Sequence, residues 1–159
     1  MSKSKYIIYL LTIILIFLLD RVTKIYLIDF FNDINEAYIT LTSFLNIILV
    51  WNSGIGFGLL QFDNKITYNL ITLLIIIINV LLIYFLIKAE NFQKILFSMI
   101  LGGSLGNLYD RIYYSAVPDF IDLNYGGYHW FVFNIADIFI SVGIFGFIFS
   151  EFFKKKNEK

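Results

Sequence analysis

The chain has 159 residues, with twelve Lys and Arg against twelve Asp and Glu, one His, one Pro and no Cys; it is 59% hydrophobic, 19% aromatic and 15% charged. A soluble domain is nearer half apolar and a quarter charged, so the composition points to an integral membrane protein and sets aside a disordered chain and a disulfide scaffold. The even charge balance leaves no basic surplus for nucleic acid, and the length fits a single domain over residues 1–159.

A spanning helix needs about 20 mostly apolar residues. Four stretches meet or approach this, at about 6–28, 66–87, 92–112 and 133–153. The first is apolar through Leu19 except at Thr12, and Asp20, Arg21 and Lys24 follow near its far end. It is long, charged distally and not followed by a small-residue cleavage site, so it reads as a retained span rather than a signal peptide. After it, Tyr38–Thr42 alternates polar and apolar, and the apolar run 44–51 is broken by Asn46, a pattern that predicts short strands. Asn52-Ser53-Gly54 then gives a turn signal. The second stretch carries no charge, whereas the third has Lys94 at its start and Asn107, Asp110 and Arg111 at its end. Residues 113–132 read as a loop holding Asp119, Asp122 and, in a turn-like stretch, His129. The fourth span opens on Asn134 and Asp137 and is followed by a lysine-rich tail. The expected fold is therefore an all-α membrane protein: four transmembrane helices with a small extracytoplasmic β-containing region between the first two.

Lys and Arg placement sets the orientation. Lys3, Lys5, Lys88, Lys94, Lys154, Lys155, Lys156 and Lys159 fall on one side of a four-span arrangement, eight of the twelve basic residues. Both termini are thus expected in the cytoplasm, with the two longer loops outside.

The polar residues in the spans are the informative ones, because a charge deep in a bilayer costs at least about 2.5–3.5 kcal/mol. Asp20 and Lys24, four apart on one helical face, lie at the same expected depth as Asn107, Asp110, Arg111, Asn134 and Asp137. Each set has an ordinary reading: an ion pair at Asp20 and Lys24, a helix end at Asp110 and Arg111, an N-cap at Asn134 with Asp137 in the first turn, loop carboxylates at Asp119 and Asp122. What stands out is that separate segments place polar groups at one level. The available chemistry is narrow. Without Cys there is no thiol nucleophile, a single His cannot build the usual zinc site, and Gly102-Gly103-Ser104-Leu105-Gly106 lacks the Lys of a phosphate loop and suits close helix packing instead. Carboxylate chemistry remains: two Asp side chains brought close share a proton, one activating water and the other protonating the leaving group, with no metal and no cofactor.

The blocks Asp20-Arg21-Val22-Thr23-Lys24, Asn52-Ser53-Gly54-Ile55-Gly56-Phe57-Gly58, GGSLGNLYDR ending at Arg111, Val117-Pro118-Asp119-Phe120-Ile121-Asp122 and Phe133-Asn134-Ile135-Ala136-Asp137 resemble, in order and spacing, those of bacterial lipoprotein signal peptidase, also called signal peptidase II. The resemblance implies a multi-pass aspartyl peptidase of the bacterial cytoplasmic (inner) membrane, its active site near the outer face. Such enzymes cut prolipoproteins on the amino side of a diacylglyceryl-modified Cys. It implies Asp119 and Asp137 as catalytic residues and Asp20, Lys24, Asn52, Asn107, Arg111 and Asn134 as supporting or substrate-binding ones. Asp110, Gly54 and Gly106 take structural roles; the partners are prolipoproteins and membrane lipids, and the protein is expected to be monomeric. The same motif match favours Asp119 over Asp122. Departures from the family pattern are Ser115, where Gly is frequent, Pro118 in place of an aliphatic residue, and Gly56 in place of Ala. Two other functions compete: a small proton or cation transporter subunit using paired intramembrane acids, and a non-catalytic scaffold in which the polar groups hold helices together.

Overall fold

A computed structural model describes residues 3–34, 38–54 and 65–157, without the side chains of 3–5, 91 and 155–157. Gly56 and the rest of the 55–58 block lie outside the described residues, as do Lys159 and the side chains of Lys3, Lys5, Lys155 and Lys156. The chain runs α1 (Lys3–Asp33), β1 (Tyr38–Thr42), β2 (Leu45–Asn52), α2 (Lys65–Lys88), α3 (Asn91–Tyr114), β3 (Val117–Tyr125), β4 (Tyr128–Phe133) and α4 (Ile135–Asn157).

Among the described residues three helices are long and apolar enough to cross a membrane: α1 over Tyr6–Asp33, α2 over Lys65–Lys88 and α4 over Ile135–Lys154. Their apolar side chains, such as Leu10, Leu74, Val80 and Phe149, point outward rather than into a core, as lipid-facing residues do. Against the sequence expectation of four spans, α3 does not reach the same apolarity, because it carries Lys94, Asn107, Asp110 and Arg111. The physical reason is its position. α3 packs against α1, α2 and α4, and Leu96, Ser98, Ile100, Leu101 and Asp110 on it are buried, so the neighbours supply the apolar exterior that α3 lacks.

Close approach depends on small residues. A Cβ on Gly103 would sit 2.5 Å from the Ala136 carbonyl oxygen, and one on Gly106 would sit 2.6 Å from Asp20 Oδ2. These two glycines therefore set how near α3 comes to α4 and α1.

The sheet also differs from expectation. Strands in the first connection are present as predicted, but they form half of a four-stranded antiparallel sheet of order β1-β2-β3-β4. The other half comes from residues 117–133, read from sequence as a loop. Positive φ at Gly126 (59°) and Gly127 (83°) closes a two-residue hairpin between β3 and β4, the conformation that a type I′ turn demands. Asp119, Asp122 and Asn124 hide β3 in the sequence; in the ladder they stand opposite Val50, Asn46 and His129. Pro118 stays in the ladder opposite Trp51, in a part of β3 that β4 does not reach, which is where a residue without an N–H is tolerated.

Candidate active site

The sheet, the carboxyl-terminal end of α3 and the start of α4 meet at one end of the bundle. A cavity of about 260 Å³ opens there, lined by Asn52, Ile75, Ser104, Asn107, Arg111, Val117, Asp119, Asp137, Ile140, Ser141 and Ile144. Asp119 arrives on β3 and Asp137 on the first turn of α4. Asp122, the alternative acid, is not among the lining residues: its Oδ2 accepts from Asn46 Nδ2 at 3.0 Å and contacts His129 Nδ1 at 2.8 Å. His129 therefore sits on β4 against a buried carboxylate, not in a turn-like loop.

Each oxygen of the two cavity acids accepts one N–H. Asp119 Oδ1 accepts from Asn134 Nδ2 at 2.6 Å and its Oδ2 from Asn52 Nδ2 at 2.9 Å. Asp137 Oδ1 accepts from Asn107 Nδ2 at 2.8 Å and its Oδ2 from the Asn134 backbone N–H at 3.2 Å. Three asparagines thus present their amide nitrogens to the acids, and in each the carbonyl oxygen is already engaged elsewhere. Asn52 Oδ1 accepts the Gly54 N–H at 2.9 Å, Asn134 Oδ1 accepts the Asp137 N–H at 3.1 Å, and Asn107 Oδ1 accepts Lys24 Nζ at 2.9 Å. Those donors cannot accept, so the amides cannot flip. Asn134 is both an N-cap of α4 and a ligand of Asp119, so the helix-capping and site readings of that residue describe one geometry.

Burial, and after it the nearby Asp137 charge, push the Asp119 carboxyl up to about 7 against the opposing pull of the Asn52 and Asn134 amides and Lys24. An acid so poised is half protonated near neutrality. Two carboxyls in one cavity, one carrying a proton, are equipped to activate water and to protonate a leaving nitrogen.

Behind the cavity is a second acid cluster. Lys24 Nζ donates to Asp20 Oδ2 at 2.8 Å and to Asp110 Oδ2 at 2.7 Å, all three side chains being fully buried. Arg21 Nη2 lies 2.6 Å from Asp110 Oδ1. Asp20 Oδ1 accepts the Ala136 N–H at 3.1 Å, tying α1 to the start of α4. Arg111 donates to the Gly54 carbonyl, its own carbonyl accepts from the Tyr68 hydroxyl at 2.8 Å, and its guanidinium lies over the Tyr68 ring. Gly54, with its N–H on Asn52, therefore connects two lining residues. Sequence reasoning missed Arg21 as an ion-pair member and Tyr68 as a partner of Arg111. Arg21 lay inside a quoted motif, and Tyr68 gave no signal, since a Tyr near the end of a span is ordinary. No group of three or more His, Cys, Asp or Glu suited to a metal ion occurs among the described residues.

The sequence model described as Signal peptidase (SPase) II matches residues 12–153. The chain is 48% identical over 153 residues to the lipoprotein signal peptidase of Pelagibacter ubique (strain HTCC1062), covering 94% of this chain and 92% of that one. It is 39% identical over 155 residues to that of Francisella tularensis subsp. novicida (strain U112), covering 93% of each. A solved structure described as a bacterial membrane enzyme at 2.3 Å resolution superposes with a TM-score of 0.80 at 33% identity, covering 95% of this chain and 91% of that one. A second such structure, at 1.9 Å resolution, gives 0.71 at 34% identity, covering 89% and 90%.

Proposed function

This chain belongs to the signal peptidase II family, and from that premise we propose that it is a multi-pass membrane aspartyl endopeptidase that removes the signal peptide from diacylglyceryl-modified prolipoproteins, with Asp119 and Asp137 as its catalytic pair. The observation that carries the assignment is the convergence of these two acids, from different elements, on one cavity with a donor on every carboxylate oxygen.

In this reading the ionised carboxylate takes a proton from water as the water attacks the carbonyl carbon of the scissile amide, and the protonated one hydrogen-bonds the carbonyl oxygen. Collapse of the tetrahedral intermediate breaks the C–N bond, and a carboxyl proton passes to the leaving nitrogen of the lipid-modified Cys. Asn52, Asn107 and Asn134 hold the acids; Asp20, Lys24 and Asp110 hold Asn107 and the start of α4; Arg111 and Gly54 hold the segment around Asn52. The chain acts as one domain over residues 1–159, with four spans, because α3 is 24 residues long, about 36 Å of helix, and its neighbours cover its polar face. Lys88, Lys94 and Lys154 lie at the opposite end of the bundle from the cavity, which favours cytoplasmic termini and an outward-facing site. Lipid modification of the Cys keeps the scissile bond at that depth, and a monomer suffices, since this chain alone supplies every proposed site residue.

The test is cleavage of a diacylglyceryl-modified prolipoprotein by the purified protein in detergent. The expected result is release of the signal peptide on the amino side of the modified Cys, with no cleavage of the unmodified precursor and no effect of chelators. Absence of cleavage together with proton or cation flux in reconstituted vesicles overturns the reading in favour of a transporter.

A further inference from the structure

Below the two acids the cavity continues between α2, α3 and α4, where its polar lining reduces to two hydroxyls, Ser104 and Ser141. Ser104 is one turn from Asn107 along α3, and Ser141 is one turn from Asp137 along α4, so both lie roughly 4.5–6 Å deeper than the acids at 1.5 Å per residue. Hydroxyls within these helices ordinarily bond back to the preceding turn: Thr12, Thr23, Thr72, Ser98 and Ser150 donate to the carbonyls of Ile8, Leu19, Tyr68, Lys94 and Phe147. Neither Ser104 nor Ser141 donates to any group among the described residues.

Ser104 is held in that state by a residue of α2. Asn79, buried in the bundle, uses Nδ2 to donate both to the Ile75 carbonyl at 2.8 Å and to Ser104 Oγ at 2.9 Å. The Ile75 carbonyl can only accept, which fixes the amide nitrogen on that side. Ser104 must therefore accept from Asn79, which leaves its own hydrogen free to turn toward the cavity that it lines.

A signal segment enters an apolar membrane as a helix but must be extended where it is cut. Its helix therefore ends short of the scissile bond, and its last four carbonyls lose their intrahelical donors, a serious cost where no water is present. Two residues of extended chain cover about 6.6 Å, which brings that helix end to the depth of the hydroxyls. Building on the peptidase reading, we propose that Ser104 and Ser141 are substrate-positioning residues whose hydroxyls donate to the orphaned backbone carbonyls at the end of the bound signal helix, with Asn79 aiming Ser104.

The test is steady-state cleavage of a diacylglyceryl-modified prolipoprotein by Ser104→Ala, Ser141→Ala and the double variant, each alongside thermal unfolding. KM should rise roughly 3–10-fold for each single change and multiplicatively for the pair, with kcat within about twofold and unfolding unchanged. Ser141→Thr, which keeps the hydroxyl, should restore KM. Asn79→Leu should raise KM as Ser104→Ala does and add nothing on top of it. An unchanged KM in the double variant, a loss confined to kcat, or a fall in stability that accounts for the loss would overturn the proposal; strict additivity of Asn79→Leu with Ser104→Ala would remove the aiming role. Failure of the unaltered protein to cleave would instead remove the peptidase reading on which this rests.

Discussion

Two acid clusters lie side by side in this molecule and are compensated in opposite ways. Asp20 and Asp110 face cations: Lys24 bridges them and Arg21 flanks them. Asp119 and Asp137 face neutral amides, four N–H groups on four oxygens. A cation within hydrogen-bond reach offsets the cost of burying a carboxylate. An acid that receives only neutral hydrogen bonds keeps part of its desolvation penalty, and its proton stays exchangeable. The first cluster is built as framework and the second is the proposed reactive pair, although all four are the same residue type. Lys24 joins them by donating to Asn107, which in turn donates to Asp137.

The sharpest way to break this contrast is to remove the bridge. Lys24→Ala leaves Asp20 and Asp110 buried with one cation fewer, and breaking such a pair costs about 3–5 kcal/mol; low yield and a large loss of thermal stability are expected, together with loss of activity. A stable, well-folded Lys24→Ala protein would show that the first cluster is not framework. Next in size, Asn107→Ala or Asn52→Ala removes one donor to a charged group, for which a 10–100-fold fall in kcat/KM is expected, with folding retained. Full activity of either variant at normal yield would remove that residue from the site.

Proton sharing has its own signature. The Asp119 carboxyl is raised to about 7, and the proposed mechanism needs one protonated carboxyl. Activity should hold as pH falls toward 6 and decline about tenfold per unit above 7 as the pair loses its shared proton. A profile flat to pH 9 would contradict this. The smallest effect concerns neither cluster. Ser115 caps α3 in the left-handed region at φ 59° and ψ 19°, which penalises a residue with a Cβ by about 1–2 kcal/mol and accounts for glycine being frequent there in the family pattern. Ser115→Gly should stabilise the protein by about 1 kcal/mol in thermal unfolding, with turnover unchanged.

Much of this was legible in the sequence. The apolar stretches gave the helices, and the alternation around Tyr38 gave β1. The polar residues at one depth marked the end of the bundle where the cavity lies, because a polar side chain in a span needs a partner. The second half of the sheet was not legible. Asp119, Asp122 and Asn124 broke the alternation expected of β3, and the hydrogen-bond partners of the two acids sit on β2, on β4 or at the N-cap of α4. Nor could spacing reveal the direction of an amide. Which end of Asn107 faces Asp137 is decided by Lys24, a residue on another helix 83 positions away. The second stretch was read only as uncharged, and the effect of Asn79 on Ser104 needed the packing of α2 against α3.

The most direct measurement is cleavage of a diacylglyceryl-modified prolipoprotein by Asp119→Asn and Asp137→Asn, made on samples whose folded fraction is determined in parallel. The account predicts that both variants are folded and that each has lost at least about 10³-fold in kcat. Substantial turnover by either, or loss of turnover explained by loss of fold, would contradict a reactive pair of carboxyls.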